Sequence, residues 1–245
     1  MIQPIIVVLV VIITVIRVTD LMSENPSINQ QPFGSVTFAE NPEPRCPCLL
    51  LLDTSGSMAG QAIAELNSGI RTFYEELQSD SLAIKRVEVA LISFGPVRTI
   101  SEFNTADCYL EPTLEAMGDT PLGEAIIRGI ELIKKRKEEY RANGISFYRP
   151  WIFLITDGAP TDEWHQAAAA VREGEISKSF AFFAIGVQKA DMTTLRQISV
   201  REPLHLQGLK FREFFQWLSN SMKSASRSNP GDRILLAPPT GWSEI

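Results

Sequence analysis

Two short apolar runs that each lead into an aspartate constrain the fold of this chain more than any other feature. Residues 48–52 are all apolar and are followed directly by Asp53, and residues 151–155 lead through Thr156 into Asp157. Apolar runs of this length without alternation are typical of strands that are covered on both faces, as in a parallel sheet. The sequence therefore predicts two buried strands whose carboxyl ends carry acidic side chains.

The rest of the chain alternates further apolar runs with segments of helical periodicity. Runs at 87–94 and 180–187 predict two more buried strands, and Gly95-Pro96 predicts a turn into a strand at 97–103. A short strand is also predicted at 204–206, and helices around residues 58–77, 121–137, 164–171, 192–198 and 211–222. Together these elements predict an α/β fold: a doubly wound, mostly parallel, six-stranded sheet with helices on both faces and one antiparallel edge strand.

Composition divides the 245 residues into four parts. The predicted parts are an apolar N-terminal segment (1–21), a polar lead-in (22–45), one α/β domain (46–226) and an irregular tail rich in Pro and Gly (227–245). Residues 5–16 are almost purely apolar, but a spanning helix needs ~20 such residues, and no basic leader precedes them as in a secretory signal. We interpret residues 1–21 as sequence upstream of a true start at Met22, with a membrane anchor as the alternative.

Charge and cysteine content exclude several classes of function. With 23 basic and 29 acidic residues the net charge is −6, so a nucleic-acid partner is not expected. Three cysteines leave one unpaired in any disulfide scheme, which favours a reducing, cytoplasmic location. Cys46 and Cys48 lack the second cysteine pair of a structural zinc site, and only His165 and His205 remain as other soft ligands.

The polar residues that follow the predicted strands have the chemistry of a cation site. Ligands of doubly wound sheets bind outside the carboxyl ends of the strands, where the winding order reverses, and the first and fourth strands flank that point. The loops there bring together carboxylates and hydroxyls, which are the ligands of hard cations such as Mg²⁺, with Mn²⁺ or Ca²⁺ as alternatives. The predicted metal ligands are Asp53, Ser55, Ser57, Thr120 and Asp157. An Asp or Glu of a partner protein would complete the coordination shell.

Each of these residues taken alone is also typical of a helix cap. Ser55 or Ser57 would cap the helix that follows the first strand, and Thr120 before Pro121 would cap the next long helix. Asp162 is predicted to cap the helix that follows it in the chain. The order of the motifs, each at a loop after an apolar strand or before a helix, favours the metal site over separate caps.

The pattern Asp53-x-Ser55-x-Ser57, followed by a lone Thr120 and then Asp157, resembles the metal-ion-dependent adhesion site of the von Willebrand factor type A domain family. The resemblance covers roughly residues 45–225 and implies a Rossmann-like fold. It also implies a metal-dependent protein-binding module with no catalytic residues.

Three segments, 43–48, 118–123 and 156–162, resemble the TerY branch of bacterial tellurium-resistance proteins. Membership of that branch implies a cytoplasmic protein that works with kinase and phosphatase partners in stress or phage-defence systems. A membrane association is not expected unless residues 5–16 are retained as an anchor.

The main rival is a Mg²⁺-dependent phosphatase with an aspartate nucleophile, which also places an Asp after an apolar strand. Such an enzyme needs a second carboxylate two residues later, and that position is Ser55, whose hydroxyl cannot act as acid and base near neutral pH. Neither a glycine-rich phosphate loop nor the G-x-S-x-G motif of serine hydrolases is present. The sequence therefore favours a binding module over an enzyme.

Overall fold

The structure is a computed structural model, and it describes residues 38, 40–108, 112–232 and 236–244. The predictions for residues 1–21 and for most of the polar lead-in lie outside these residues. No helix within the described residues is both long enough and apolar enough to cross a bilayer.

A single mixed sheet forms the centre of the domain, with the strands in the order β3-β2-β1-β4-β5-β6-β7. The strands β2, β1, β4, β5 and β6 run parallel, whereas β3 and β7 are antiparallel to their neighbours at the two edges. The strand bounds are β1 Cys46–Asp53, β2 Val87–Phe94, β3 Arg98–Thr105, β4 Trp151–Thr156, β5 Ala181–Val187, β6 Leu204–Leu206 and β7 Ser243–Glu244.

Helices cover both faces of this sheet. Their bounds are α1 Gln61–Gln78, α2 Ala83–Arg86, α3 Leu122–Ala142, α4 His165–Ile176, α5 Met192–Ile198 and α6 Phe211–Arg227. A 3₁₀ turn at Gly56–Met58 precedes α1, and another at Ala106–Cys108 follows β3. The helix predicted to begin with Pro121 begins one residue later, at Leu122.

The core has two halves, one on each face of the sheet, because side chains alternate along each strand. On β1, Leu50 and Leu52 pack in the half that also contains apolar residues of α1 and α6. Leu49 and Leu51 point to the opposite half, under α3, α4 and α5. Every residue of β1 is buried, which explains why the strand lacks a polar alternation in sequence.

The adjacency of β1 and β4 fixes the position of the candidate site. The parallel register pairs Leu52 of β1 with Ile155 of β4, so Asp53 and Thr156 lie at the same end of neighbouring strands. The chain winds from β1 to β2 on one side and reaches β4 on the other, which makes the carboxyl ends of β1 and β4 the switch point of the sheet.

The predicted doubly wound six-stranded sheet with an antiparallel edge strand is confirmed. Strand β7 adds two residues at the opposite edge, where His205 pairs with Glu244 and Leu206 with Ser243. A two-residue polar strand within a segment rich in Pro and Gly has no periodic pattern, so the sequence did not predict it.

Candidate metal site

The loops that follow β1 and β4 touch through two of the predicted ligands. The hydroxyl of Ser57 donates a hydrogen bond of 2.6 Å to Oδ1 of Asp157, across 100 residues of sequence. The hydroxyl oxygens of Ser55 and Ser57 are 2.9 Å apart and share a second hydrogen bond. Ser57 is exposed, whereas Ser55 and Asp157 are buried, so this row of oxygen atoms reaches the surface at Ser57.

Asp53 lies beneath this row and is fully buried. Its Oδ1 accepts a hydrogen bond of 2.8 Å from the backbone N–H of Ser55, and its Oδ2 accepts one of 2.5 Å from the Thr156 hydroxyl. Burial raises the pKa of Asp53 above its ordinary value, the charge of Asp157 adds to the rise, and the hydrogen bonds from Ser55 and Thr156 oppose it. The charged form of this carboxylate is therefore under-stabilised by the protein alone.

Backbone hydrogen bonds join the loop before α3 to the loop after β1. Met117 N–H donates to the Thr54 carbonyl at 2.7 Å, and Gly56 N–H donates to the Gly118 carbonyl at 3.0 Å. Gly95, at the β2–β3 turn, fits between these loops because a Cβ there would lie 2.4 Å from the Met117 carbonyl oxygen. These contacts hold the segment before Thr120 next to the carboxyl end of β1.

Thr120 is held from the other side by the loop after β4. Its N–H donates to the Thr161 hydroxyl at 3.0 Å, and its carbonyl accepts from the Thr161 N–H at 3.0 Å. The Thr120 hydroxyl lies 3.5 Å from the position that a Cβ on Gly158 would occupy, next to Asp157 in the chain. The structure thus brings all five predicted ligands to one edge of the sheet.

None of the three predicted hydroxyl ligands acts as a helix cap. Ser55 precedes the 3₁₀ turn without a capping hydrogen bond from its side chain, Gly60 is the N-cap of α1, and Pro121 is the N-cap of α3. Instead of capping a helix, the hydroxyls of Ser55 and Ser57 contact each other, Ser57 contacts Asp157, and the Ser55 side chain also hydrogen-bonds to Asp53.

The prediction that Asp162 caps the helix following it was wrong. Its carboxylate instead accepts hydrogen bonds from Gly123 N–H at 3.0 Å and Glu124 N–H at 2.8 Å, in the first turn of α3. The first N–H of α4, that of His165, donates to the Glu163 carboxylate. Asp162 therefore anchors the start of α3, two residues after Thr120, to the loop that carries Asp157.

Thr156 and Thr161 are positioning residues that the sequence reasoning missed. Thr156 is fully buried and directs its hydroxyl to Asp53, and Thr161 fixes the backbone of Thr120. Thr156 could have been found in the sequence, because it is a polar residue at the end of an otherwise apolar strand. Thr161 had none, because its role depends on a contact between distant loops.

The donor set fits a small hard cation. All five predicted ligands offer oxygen atoms, and the neighbouring oxygens are 2.6 and 2.9 Å apart. Adjacent ligands of an octahedral Mg²⁺, with bonds of about 2.1 Å, are about 3 Å apart. A soft or imidazole-ligated metal does not fit these five residues, because none of them offers a sulfur or nitrogen ligand.

The two strand cysteines belong to the core. Cys46 and Cys48 are buried on the same face of β1, and burial raises the pKa of the Cys46 thiol to about 12. Burial also raises the pKa of Cys48 well above its ordinary value. Thiols in such surroundings remain protonated and inert.

The profile of the von Willebrand factor type A (VWA) domain matches residues 49–214, which include the last five residues of β1, the five candidate ligands and most of the helices. The chain belongs to the VWA domain family. A search of curated protein sequences found no match to this VWA domain protein.

Solved structures share the VWA fold with this chain at low sequence identity. The pilus adhesin SpaC from Lactobacillus rhamnosus GG is 13% identical with a TM-score of 0.58, over 74% of this chain and 31% of SpaC. The VWA domain of the type V pili tip protein Mfa5 from Porphyromonas gingivalis is 14% identical with a TM-score of 0.53, over 78% of this chain and 99% of that domain. The proximal thread matrix protein 1 of the mussel byssus is 17% identical, with a TM-score of 0.52 over 74% of this chain. The chain spans about half of that matrix protein, 48%, and these likenesses describe the fold alone.

Proposed function

We propose that this VWA domain is a protein-binding module that captures an acidic side chain of its partner through a divalent cation. The proposed ligands are Asp53, Ser55, Ser57, Thr120 and Asp157, with Mg²⁺ as the ion and Mn²⁺ or Ca²⁺ as alternatives. The observation that carries the proposal is the contact between Ser57 and Asp157, which joins the tips of β1 and β4. Oxygen atoms meet there from two loops that are 100 residues apart in sequence.

The roles of the five residues differ by their surroundings. Ser55, Ser57 and Thr120 offer neutral hydroxyl oxygens, which suit direct coordination without cancelling the charge of the ion. Asp53 is fully buried and both of its oxygens accept hydrogen bonds, so it acts by orienting the loop and by balancing charge. A bound divalent cation supplies a Lewis-acidic position for a carboxylate from another molecule. The exposed side of the site, at Ser57, is where the partner's Asp or Glu would enter.

Exposed side chains around the site offer a surface for the partner. Met117, in the loop tied to Thr54, is one of the few large apolar side chains exposed on the described residues, at 39%. Asp119 and Ala159 are also exposed beside Thr120 and Asp157. The preferred partner segment therefore carries an acidic residue with an apolar neighbour.

The biological setting we propose is a cytoplasmic stress-response, tellurium-resistance or defence system of the TerY type, with a kinase or phosphatase of the same system as partner. The support is the sequence resemblance of residues 43–48, 118–123 and 156–162 to that branch. The pilus adhesin and the pilus tip protein named above share only the fold, so their roles are not transferred.

The phosphatase alternative is disfavoured by the environment of Asp53. A nucleophilic carboxylate must reach its substrate, but Asp53 is fully buried with a hydrogen bond at each oxygen. The proposal is therefore non-enzymatic. Metal-dependent hydrolysis of phosphate esters that disappears in Asp53→Asn would favour the enzyme instead.

The test compares Asp157→Ala with Asp119→Ala, which removes the same charge from an exposed neighbouring position. Calorimetric titration with Mg²⁺ is expected to give binding in the wild type and in Asp119→Ala and none in Asp157→Ala or Asp53→Ala. Pull-down from cell extract is expected to recover the partner with Mg²⁺ and to lose it with chelator or in Asp157→Ala. Unchanged Mg²⁺ affinity in both site variants would refute the proposed ligands.

A further inference from the structure

A cavity of about 270 Å³ lies between α3 and α4, lined by the second half of α3 and so away from the candidate metal site at its start. We call it the α3–α4 cavity. Its apolar floor includes Ile133 and Phe180, both buried. Gly174 allows this arrangement, because a Cβ there would lie 2.0 Å from a ring atom of Phe180. The floor therefore depends on a glycine in α4 that leaves room for an aromatic ring.

The rim of the α3–α4 cavity is positively charged. Lys134, Lys137 and Arg141 recur at spacings of three and four residues, so they lie along one face of α3. The one acidic residue that lines the cavity is Glu173 of α4. This excess of positive charge occurs in a chain whose net charge is −6.

The cationic side chains of this rim differ from Lys135 and Arg136, which lie between them in the same helix. Lys135 pairs with Glu102, and Arg136 pairs with Glu88 and Glu139. Among the described residues, no carboxylate lies within ion-pair distance of the three rim cations. In the second half of α3, the cations without an acidic partner are thus the ones that face the cavity, whereas Arg128, nearer the start of the helix, donates to the Thr99 hydroxyl.

The helix dipole explains only part of the clustering of Lys134, Lys137 and Arg141. A cation in the last turn of a helix is favoured by the helix dipole, and the effect falls off within that turn. Arg141 lies in the last turn of α3, whereas Lys134 and Lys137 lie one to two turns earlier. Lys137 donates to the Ser179 carbonyl at 3.1 Å, and burial, followed by the charge of Arg141, lowers its pKa. An anion at this rim would relieve the mutual repulsion.

We propose that the α3–α4 cavity binds a small amphiphilic anion. Its carboxylate or phosphate group lies against Lys134, Lys137 and Arg141, and its apolar part lies against Ile133 and Phe180. The volume lies just below the ~300 Å³ at which pockets begin to hold drug-sized molecules, so the ligand is of the size of a substituted benzene. The hydroxyls of Ser177 and Ser179 also line the rim, 2.9 Å apart, but the Ser177 hydroxyl donates to the Gly174 carbonyl at 3.3 Å, so the positive charge of the rim comes from the three cations alone.

The test uses four probes that separate charge from apolar surface. Phenyl phosphate and phenylacetate carry both features, inorganic phosphate carries only the charge, and benzyl alcohol carries only the ring. We expect the two aromatic anions to shift the amide NMR signals of Gly174 and Phe180 and to bind about tenfold or more tightly than the other two probes, the effect of one charge-assisted hydrogen bond. The tighter of the two aromatic anions identifies the preferred headgroup.

The matched variants are Lys137→Gln and Lys135→Gln, which remove the same charge two residues apart on α3. We expect about tenfold weaker binding in Lys137→Gln and no change in Lys135→Gln, whose side chain pairs with Glu102 outside the cavity. Lys134→Gln, at an exposed position, is the second rim variant if Lys137→Gln unfolds. Equal binding of benzyl alcohol and phenyl phosphate, no shift at Gly174 and Phe180, or equal losses in the rim variant and Lys135→Gln would overturn the proposal.

Discussion

Asp53 and Glu88 are both buried carboxylates, but among the described residues only Glu88 forms an ion pair. Glu88 lies between two arginines, with Arg45 Nε at 2.9 Å and Arg136 Nε at 2.8 Å. Asp53 accepts hydrogen bonds from the Ser55 backbone N–H, the Ser55 side chain and the Thr156 hydroxyl, and all three donors are neutral. A buried carboxylate without a countercharge is unfavourable. Under the proposed function, the bound divalent cation supplies the countercharge for Asp53.

Glu175 is a partly buried carboxylate whose charge is balanced by two arginines of the protein. Its ionisation is therefore expected to make the stability of the protein depend on pH. Its Oε1 accepts from Phe182 N–H and Arg201 Nε, each at 2.7 Å, and its Oε2 accepts from Arg149 at 2.7 Å. Burial alone raises the pKa of Glu175, but the hydrogen bonds from Arg201 and Phe182, with the charges of Arg201 and Arg149, outweigh it and leave the pKa below its ordinary value.

A lowered pKa in the folded state means that this stabilisation is present above the ordinary glutamate pKa of 4.5 and is lost as the pH falls below it. Glu175→Gln is therefore expected to lower the free energy of unfolding by about 1–2 kcal/mol near pH 7, because both arginines are partly exposed to solvent. The difference from the wild type should shrink as the pH falls below 4.5. Chemical denaturation across this pH range measures it.

Glu173→Gln is the matched control, since Glu173 is exposed, lies two residues away and has no ion pair within the described residues. Its unfolding free energy should follow that of the wild type at every pH. Identical pH profiles for the two variants would contradict the role assigned to Glu175.

At the scale of the elements, α3 connects the candidate site to the rest of the domain. The helix starts two residues after Thr120, and Asp162 binds its first free N–H groups. The approach is close: a Cβ on Gly123 would lie 2.4 Å from the Glu163 carbonyl oxygen. The loop after β4 therefore sets both the start of α3 and the position of Thr120.

Asp162→Ala is expected to destabilise the protein by about 1 kcal/mol, the usual effect of losing an N-terminal helix cap. It should also weaken Mg²⁺ binding, because Thr120 loses part of its anchor. Asp162→Asn keeps one acceptor oxygen and should retain most of the stability. Thermal unfolding and calorimetry measure the two effects, with Asp119→Ala as the charge-matched control. An Asp162→Ala protein as stable as Asp119→Ala would contradict the capping role.

The start of α3 shows which features local sequence patterns can predict and which they cannot. Thr120 and Pro121 predicted the helix boundary to within one residue, because that signal lies in the chain next to the helix. The side chain that accepts hydrogen bonds from the first turn of α3 is that of Asp162, 39 residues from Gly123 in the chain. Sequence spacing alone predicted that Asp162 caps α4, the helix that follows it in the chain. Its contact with the start of α3 is formed only when the two loops fold against each other.

At the scale of the whole molecule, the site exists because of the winding of the sheet. Buried parallel strands leave continuous apolar runs, so the sequence predicted the sheet, the helices on both faces and the neighbouring positions of β1 and β4. That adjacency was enough to place Asp53 and Asp157 at one edge. The supporting contacts of Thr156 and Thr161, and the short strand β7, depend on side-chain direction or loop packing and leave no periodic pattern.

The most direct test of the central claim is an anomalous difference map from crystals of the protein grown with Mn²⁺. We expect one strong peak at the carboxyl ends of β1 and β4, within coordination distance of the Ser55 and Ser57 hydroxyl oxygens, and its loss in Asp157→Ala crystals. A map without a peak there, or with Mn²⁺ bound only elsewhere, would contradict it.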